Sequence, residues 1–175
     1  MQCLLCDVSA PMREAWRREL ARRPDLAAVC DVLSGDITGL SADAVVSPAN
    51  SFGFMRGGVD GVYARVFGSG VEARLRAIIR TLPSGELPVG EALVVPTGHG
   101  RIPWLISAPT MRTPSRLGDG SPVLLATRAA CRAAFGRGFS TVAFPGMGAG
   151  TGRLPFDEAA RAMCDGLAEA FSGRD

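Results

Sequence analysis

The sequence predicts a three-layer α/β/α fold: a mostly parallel central sheet with helices on both faces. Three observations carry this prediction. Short apolar runs of strand length alternate with helix-period patterns along the whole chain. No repeat, linker or biased segment interrupts that order. The 175 residues, 47% of them hydrophobic, suffice for one core and one domain over 1–175.

Taken in order, Cys3-Leu4-Leu5-Cys6-Asp7-Val8 is an unbroken apolar run of the kind shown by a strand buried on both faces. Pro11 then opens a helix in which Met12, Trp16 and Leu20 recur every four residues, and Arg13, Arg17, Arg18, Arg22 and Arg23 share the remaining surface with Glu14 and Glu19 as a solvated face. Apolar stretches at 27–33 and 44–46 read as strands. Helix periods follow at Val59, Val62, Tyr63, Val66 and Phe67, and at Leu75, Ile78, Ile79 and Leu82. Beyond the turn residues Pro83-Ser84-Gly85 and Pro88, strands are expected at 92–95 and 104–107 around a Gly98-His99-Gly100 loop. Ser121, as cap, and Pro122 open a helix to about Phe135. A strand at 141–144 leads through a glycine-rich loop into a last helix near Pro155, with Phe156, Ala160, Met163, Leu167 and Phe171 as its apolar face.

Composition excludes several functions. With 21% charged residues and a net charge of +2, the chain is neither a disordered tail nor a non-specific nucleic-acid binder. All nineteen basic residues are arginine, so Schiff-base or lysine-nucleophile chemistry has no residue to use. No apolar run approaches the roughly 18 residues of a membrane span and no signal-like start is present, so a cytoplasmic protein without membrane association is expected. The five cysteines lie in apolar periodic segments as free thiols, and the Cys3-x-x-Cys6 pair lacks partners for a metal shell beyond the single His99, so no metal is expected.

In parallel sheets ligands bind beyond the carboxyl ends of the strands, where helix N-termini offer free N–H groups. The informative residues cluster there: Gly35-Asp36-Ile37-Thr38, Ser47-Pro48-Ala49-Asn50, Gly57-Gly58-Val59-Asp60-Gly61 and the loop from Pro145 to Pro155. Two glycine-rich loops at sheet ends point to a phosphate or diphosphate cradle, although neither fits the P-loop or dinucleotide fingerprint. Asn50 is the only asparagine in the chain. Singly, Asp36 reads as a turn cap and Asn50 as a strand-end tie; jointly, in register with both loops, they fit a ligand site. Phe52, Phe54, Met55, Arg56 and Arg153 are further loop residues that could face that ligand.

On G-D-I-T at 35–38, D-A-V-V-S-P-A-N at 43–50, G-G-V-D-G at 57–61 and F-P-G-M-G-A-G at 144–150, in this order, the sequence resembles the macrodomains, an ADP-ribose-binding α/β family. The match runs from about Gly35 to Phe171. The resemblance implies that Asp36 accepts a hydrogen bond from the adenine amino group, with the Ile37 backbone on the same ring. It implies that Asn50 holds the distal ribose, and that Gly57, Gly58 and Val59 bring N–H groups to the diphosphate. Asp60, ten residues after Asn50, would orient a hydrolytic water, and Gly148, Ala149, Gly150, Thr151 and Gly152 would form the second ligand loop. No cofactor is implied; the partner is ADP-ribose or an ADP-ribosylated protein, met by a monomer.

Departures from the family pattern are Ser47-Pro48 in place of a first Asn-Ala, Ala64 where a histidine often stands, and Gly152 where an aromatic often covers the distal ribose. The family's last strand and helix have no counterpart after residue 171, whereas residues 2–22 supply such a unit at the start. A circular permutation is therefore expected, with Asp7 or Val8 beside the adenine. The functional expectation is a hydrolase of ADP-ribose esters, on Asp/Glu side chains or as O-acetyl-ADP-ribose. A non-catalytic ADP-ribose reader and processing of ADP-ribose-1''-phosphate are the alternatives.

Overall fold

A computed structural model describes residues 1–173. In chain order the elements are β1 (Gln2–Asp7), α1 (Ala10–Leu20), α2 (Pro24–Ala27), β2 (Cys30–Ser34), β3 (Ala44–Ser47), α3 (Gly58–Phe67), α4 (Ser69–Thr81), β4 (Leu93–His99), β5 (Ile102–Ser107), α5 (Ser121–Gly136), β6 (Thr141–Phe144) and α6 (Phe156–Ser172), with a 3₁₀ turn at Ile37–Gly39. They form one sheet in the order β2-β1-β6-β3-β5-β4. Only the β4–β5 hairpin at the edge is antiparallel.

β1 lies inside the sheet, with Cys3 opposite both Cys30 and Val142. Its apolar run is explained by its two covered faces: Cys3 and Leu5 join the core under α1, α5 and α6, and Cys6 joins the core under α3 and α4. Alternate side chains of a strand point to opposite faces, so a strand covered on both sides has no polar position to spare. Trp16 and Met12 of α1, Phe144 of β6 and Met163 of α6 are fully buried on the first face, and Tyr63, Val71, Leu75 and Ile79 fill the second. Each such side chain contributes about 1.5–3 kcal/mol by leaving water.

Several boundaries differ from the sequence reading. His99 is the last residue of β4, paired with Ile102 and against the Phe67 ring at 5.5 Å, so the hairpin turns at 100–101 instead. Ser121 is the first residue of α5 and not its cap, and its N donates to Asp119 Oδ1 at 2.8 Å. Gly120 takes the N-cap position because a Cβ there would sit 2.9 Å from Ala162 of α6. Ile78 is exposed, and Val71 takes its expected place in the core. The arginines of this region are also more than a solvated face: Arg18 of α1 pairs with Asp157 at 2.6 Å, and Arg23, between α1 and α2, pairs with Asp165 at 2.7 Å, both tying this segment to α6. The exposed Arg18 pair is worth little energetically. All five cysteines are buried free thiols, and no described helix is long and apolar enough to cross a membrane.

Candidate functional site

The carboxyl ends of β1, β2, β3 and β6 open into one cleft of about 850 Å³. α1 and α3 begin at its rim, and the first residue of α6, Phe156, lines it. Free N–H groups of helix first turns make such a rim attractive to anions. Asp36, Ile37, Asn50, Gly57, Gly58, Val59, Asp60, Gly148, Ala149, Gly150, Thr151 and Gly152 all line this cleft, as do Asp7 and Val8.

Asp36 follows β2 and caps the 3₁₀ turn. Its Oδ1 accepts from the Thr38 hydroxyl at 2.7 Å and from Thr38 N at 2.9 Å. Those bonds hold its carboxyl below the usual carboxylate range. Both fall on Oδ1, so an exposed, ionised Oδ2 is left to accept from a ligand donor. Asp7 is a structural tie. Its Oδ1 accepts from Ser9 N at 2.7 Å and its Oδ2 from Gly146 N at 3.0 Å, which joins the end of β1 to the loop after β6. Val8 stands 76% exposed beside it, an apolar edge on the cleft mouth.

Asn50 is buried, and its side chain organises the loop that follows. Oδ1 accepts from Phe52 N and Phe54 N at 3.1 and 3.4 Å, and Nδ2 donates to Phe54 O at 2.9 Å. An amide carries two donor hydrogens, so one remains for the cleft. Phe54 lines the cleft, with the guanidinium groups of Arg76 and Arg56 over its ring at 4.0 and 5.0 Å. Arg56 is the one cation on the cleft wall among the described residues. Met55, which the sequence offered as a ligand-facing residue, points into the core instead, and Phe52 and Arg153 lie off the cleft wall.

Asp60 sits in the first turn of α3, 7% exposed, and Ser47 Oγ donates to its Oδ1 at 2.5 Å. Burial pushes its carboxyl up to about 7, against the lowering effect of the Ser47 bond. The helix N-terminus also favours the anion, but such a dipole is worth about 0.3–1 kcal/mol and burial outweighs it. A carboxyl with a raised native pKa contributes stability that is complete below its unfolded value near 4 and lost as pH rises through about 7. Asp60→Asn is therefore expected to gain on the wild type, by about 2–4 kcal/mol between pH 4.5 and pH 8.5. Urea unfolding at the two pH values checks this; a pH-independent difference would contradict it.

The two glycine loops differ in character. Gly57 caps α3 in an extended conformation, and Gly58 has φ +55, so the chain turns there with exposed N–H groups. The loop after β6 is tied internally, Leu154 N to Gly148 O and Arg153 N to Gly150 O, both at 3.1 Å. Gly152 is buried, and a Cβ would stand 2.5 Å from Gly148 O and 2.9 Å from Leu117. Position 152 is therefore packed by Leu117, from the segment before α5, whose N donates to Gly152 O at 2.9 Å. An aromatic ring has no room there.

The structure also explains motif residues without a ligand. Asp43, heading the second motif, accepts from Ser140 N at 2.7 Å and Thr141 N at 3.0 Å, joining the starts of β3 and β6. Sequence reasoning missed the wall formed by Thr110, Met111 and Pro114, and the cleft position of Phe156, which the helix period assigns to the core. Met111 reaches the site through a bridge to Asn50, a pairing across 61 positions that no local pattern signals.

With this geometry in hand, the chain matches the Macro domain family model over residues 46–163. It is 41% identical to an uncharacterized protein of Aquifex aeolicus over 134 residues, covering 77% of this chain and 78% of that protein. It is 33% identical to O-acetyl-ADP-ribose deacetylase 1 of Pantoea vagans over 137 residues, covering 77% and 78%. Its fold superposes with a TM-score of 0.70 on a mutant Oceanobacillus iheyensis macrodomain solved with ADPR, at 20% identity, over 81% of this chain and 77% of that one. An internal parallel sheet, four motifs at its carboxyl edge and these matches together make the chain a member of the macrodomain family.

Proposed function

We propose that this protein binds ADP-ribose in the cleft and hydrolyses ADP-ribose esters, of acidic side chains or of O-acetyl-ADP-ribose. The observation that carries the proposal is the buried Asp60 carboxyl at the start of α3, in one cleft with Asn50 and both glycine loops. The N–H groups of Gly57 to Val59 and of the 148–152 loop face a diphosphate, and Asp36 Oδ2 takes the adenine amino hydrogen. Asn50 Nδ2 turns its second hydrogen to the distal ribose, and Asp60 orients the water that adds across the ester. Positioning and electrostatic preorganisation supply the acceleration in such a site. The deacetylase relative and the ADPR-bound neighbour support this reading.

A non-catalytic reader is the second reading, favoured by the engagement of Asn50 with its own loop. Arg56 on the cleft wall favours a third, a terminally phosphorylated ADP-ribose. We also read residues 2–22 as the family's C-terminal unit carried to the start of the chain; the place of β1 between β2 and β6 supports this.

Release of free ADP-ribose from glutamate-linked mono-ADP-ribosylated protein and from O-acetyl-ADP-ribose tests the proposal; binding without release would leave the reader. By calorimetry, ADP-ribose is expected to bind with a micromolar Kd, about −8 kcal/mol. Asp36→Ala should weaken it by about 1–3 kcal/mol. Equal affinity in the variant would remove the adenine role of Asp36.

A further inference from the structure

Behind Asp60 the sheet carries a second buried hydroxyl that the proposed chemistry does not use. β3 and β5 are parallel with Ser47 opposite Ser107, two residues after the pair Val45 and Leu105. Their side chains therefore leave the sheet on the face shared by Val45, Leu105 and Tyr63, the face on which α3 packs. Neighbouring strands stand about 4.8 Å apart, a gap that two C–O bonds or one water span. Both serines are 0% exposed, and Ser107 Oγ has no hydrogen-bond partner among the described residues. The other hydroxyls nearby are committed, Tyr63 to Val46 O at 3.0 Å and Thr110 to Pro48 O at 3.3 Å.

Ser47 gives its single hydrogen to Asp60 Oδ1, which leaves two lone pairs for a donor. Ser107 is the buried hydroxyl, one strand across, with a hydrogen to give. We propose that Ser107 and Ser47 are positioning residues forming a reversible hydroxyl chain to Asp60. With Asp60 ionised, Ser107 donates to Ser47 and Ser47 to Oδ1; with Asp60 neutral, its own O–H donates to Ser47, which turns its hydrogen to Ser107. Both serine hydroxyls and Asp60 Oδ1 are hydrogen-bonded in both states, which leaves Oδ2 facing away from the chain of hydroxyls. The departure from the family pattern at position 47 then has a use: a hydroxyl both gives and accepts a hydrogen bond, whereas the nitrogen of an asparagine amide only gives.

This inference rests on Asp60 as the group that orients water, but its first test does not. In ligand-free protein labelled with ¹³C at aspartate side chains, the Asp60 carboxyl is titrated in wild type, Ser107→Ala, Ser47→Ala and Ser47→Thr. Tyr63, on α3, is the titratable group electrostatically coupled to it, and Cys6 and Asp7 on β1, Asp36 after β2 and Arg56 line the same cleft; all are common to the four proteins. Loss of a donor to the ionised form raises the midpoint. Ser107→Ala is expected to raise it by about half a pH unit and Ser47→Ala by more than about one, while Ser47→Thr stays at the wild-type value. A Ser107→Ala midpoint equal to wild type, or a Ser47→Thr midpoint as high as that of Ser47→Ala, overturns the chain. If Ser47→Ala fails to fold, the Ser107→Ala and Ser47→Thr titrations decide alone. Where ester hydrolysis is present, its pH profile should move with the titration. Where it is absent, the titration still stands, so the two readings fail separately.

Discussion

Gly148→Ala is expected to destabilise the folded protein by about 3–5 kcal/mol, the largest single-methyl effect in the cleft wall. Two costs add. Gly148 has φ +83, where an L side chain is strained by about 1–2 kcal/mol. Its new Cβ would also stand 2.5 Å from Val123 of α5 and 3.0 Å from Leu154. Both neighbours are buried, so the clash is relieved only by moving α5 or the loop. Gly150→Ala is the control two residues on: its φ is ordinary and a Cβ there meets nothing within 4 Å. That variant should keep its stability within about 1 kcal/mol yet lose affinity for ADP-ribose, because in the proposed binding mode the methyl would stand in the approach to the diphosphate. Thermal unfolding and calorimetry on the pair separate a glycine the fold needs from one the ligand needs. Equal stability losses in both would refute the distinction.

Asp60→Ala should lower ester hydrolysis at least a hundredfold, about 2.7 kcal/mol or more in the barrier, while Kd for ADP-ribose stays within about tenfold. A group that acts on water contributes chiefly in the transition state, so its removal lowers kcat with little change in ground-state binding. Asn50→Ala should damage both quantities, since in the proposed binding mode it holds the ribose, and it ties the loop from Phe52 to Phe54. In the wild type, turnover should rise with pH through about 7, the range in which the Asp60 carboxyl ionises. Undiminished turnover in Asp60→Ala would return this residue to a structural role as the partner of Ser47.

Much of this architecture is written in local patterns. The run from Cys3 to Val8 announces a strand covered on both faces, and β1 is such a strand. Asp36, Asn50, Asp60 and the glycine loops stand in the sequence at strand ends, and the sheet gathers them into one cleft. The remainder depends on contacts between distant segments. The start of α5 is set by Ala162, on α6, against Gly120; the filling of position 152 by Leu117; the cleft wall at Met111 by a bridge to Asn50. Phe156 keeps the period of the α6 apolar face, but as the first residue of that helix it overhangs the end of the sheet, where no partner layer covers it. Periodicity says which side of a helix is apolar and is silent about where the sheet beneath it stops.

The order β2-β1-β6-β3-β5-β4 has a consequence for how the chain acquires its shape during synthesis. β6, four residues long at 141–144, joins a β2-β1 ribbon made early to a β3-β5-β4 ribbon made midway, and it is the parallel neighbour of both β1 and β3. Until those residues leave the ribosome, each ribbon carries a bare edge of unpaired N–H and C=O groups, flanked by an apolar face still awaiting α6. Non-local parallel pairing of this kind is slow because the connecting loops must close before the contacts form. Nascent chains arrested before residue 141 should therefore be protease-sensitive and prone to edge-to-edge association. Arrest well past α6 should give the protected fold in one cooperative step, with β6 as its keystone.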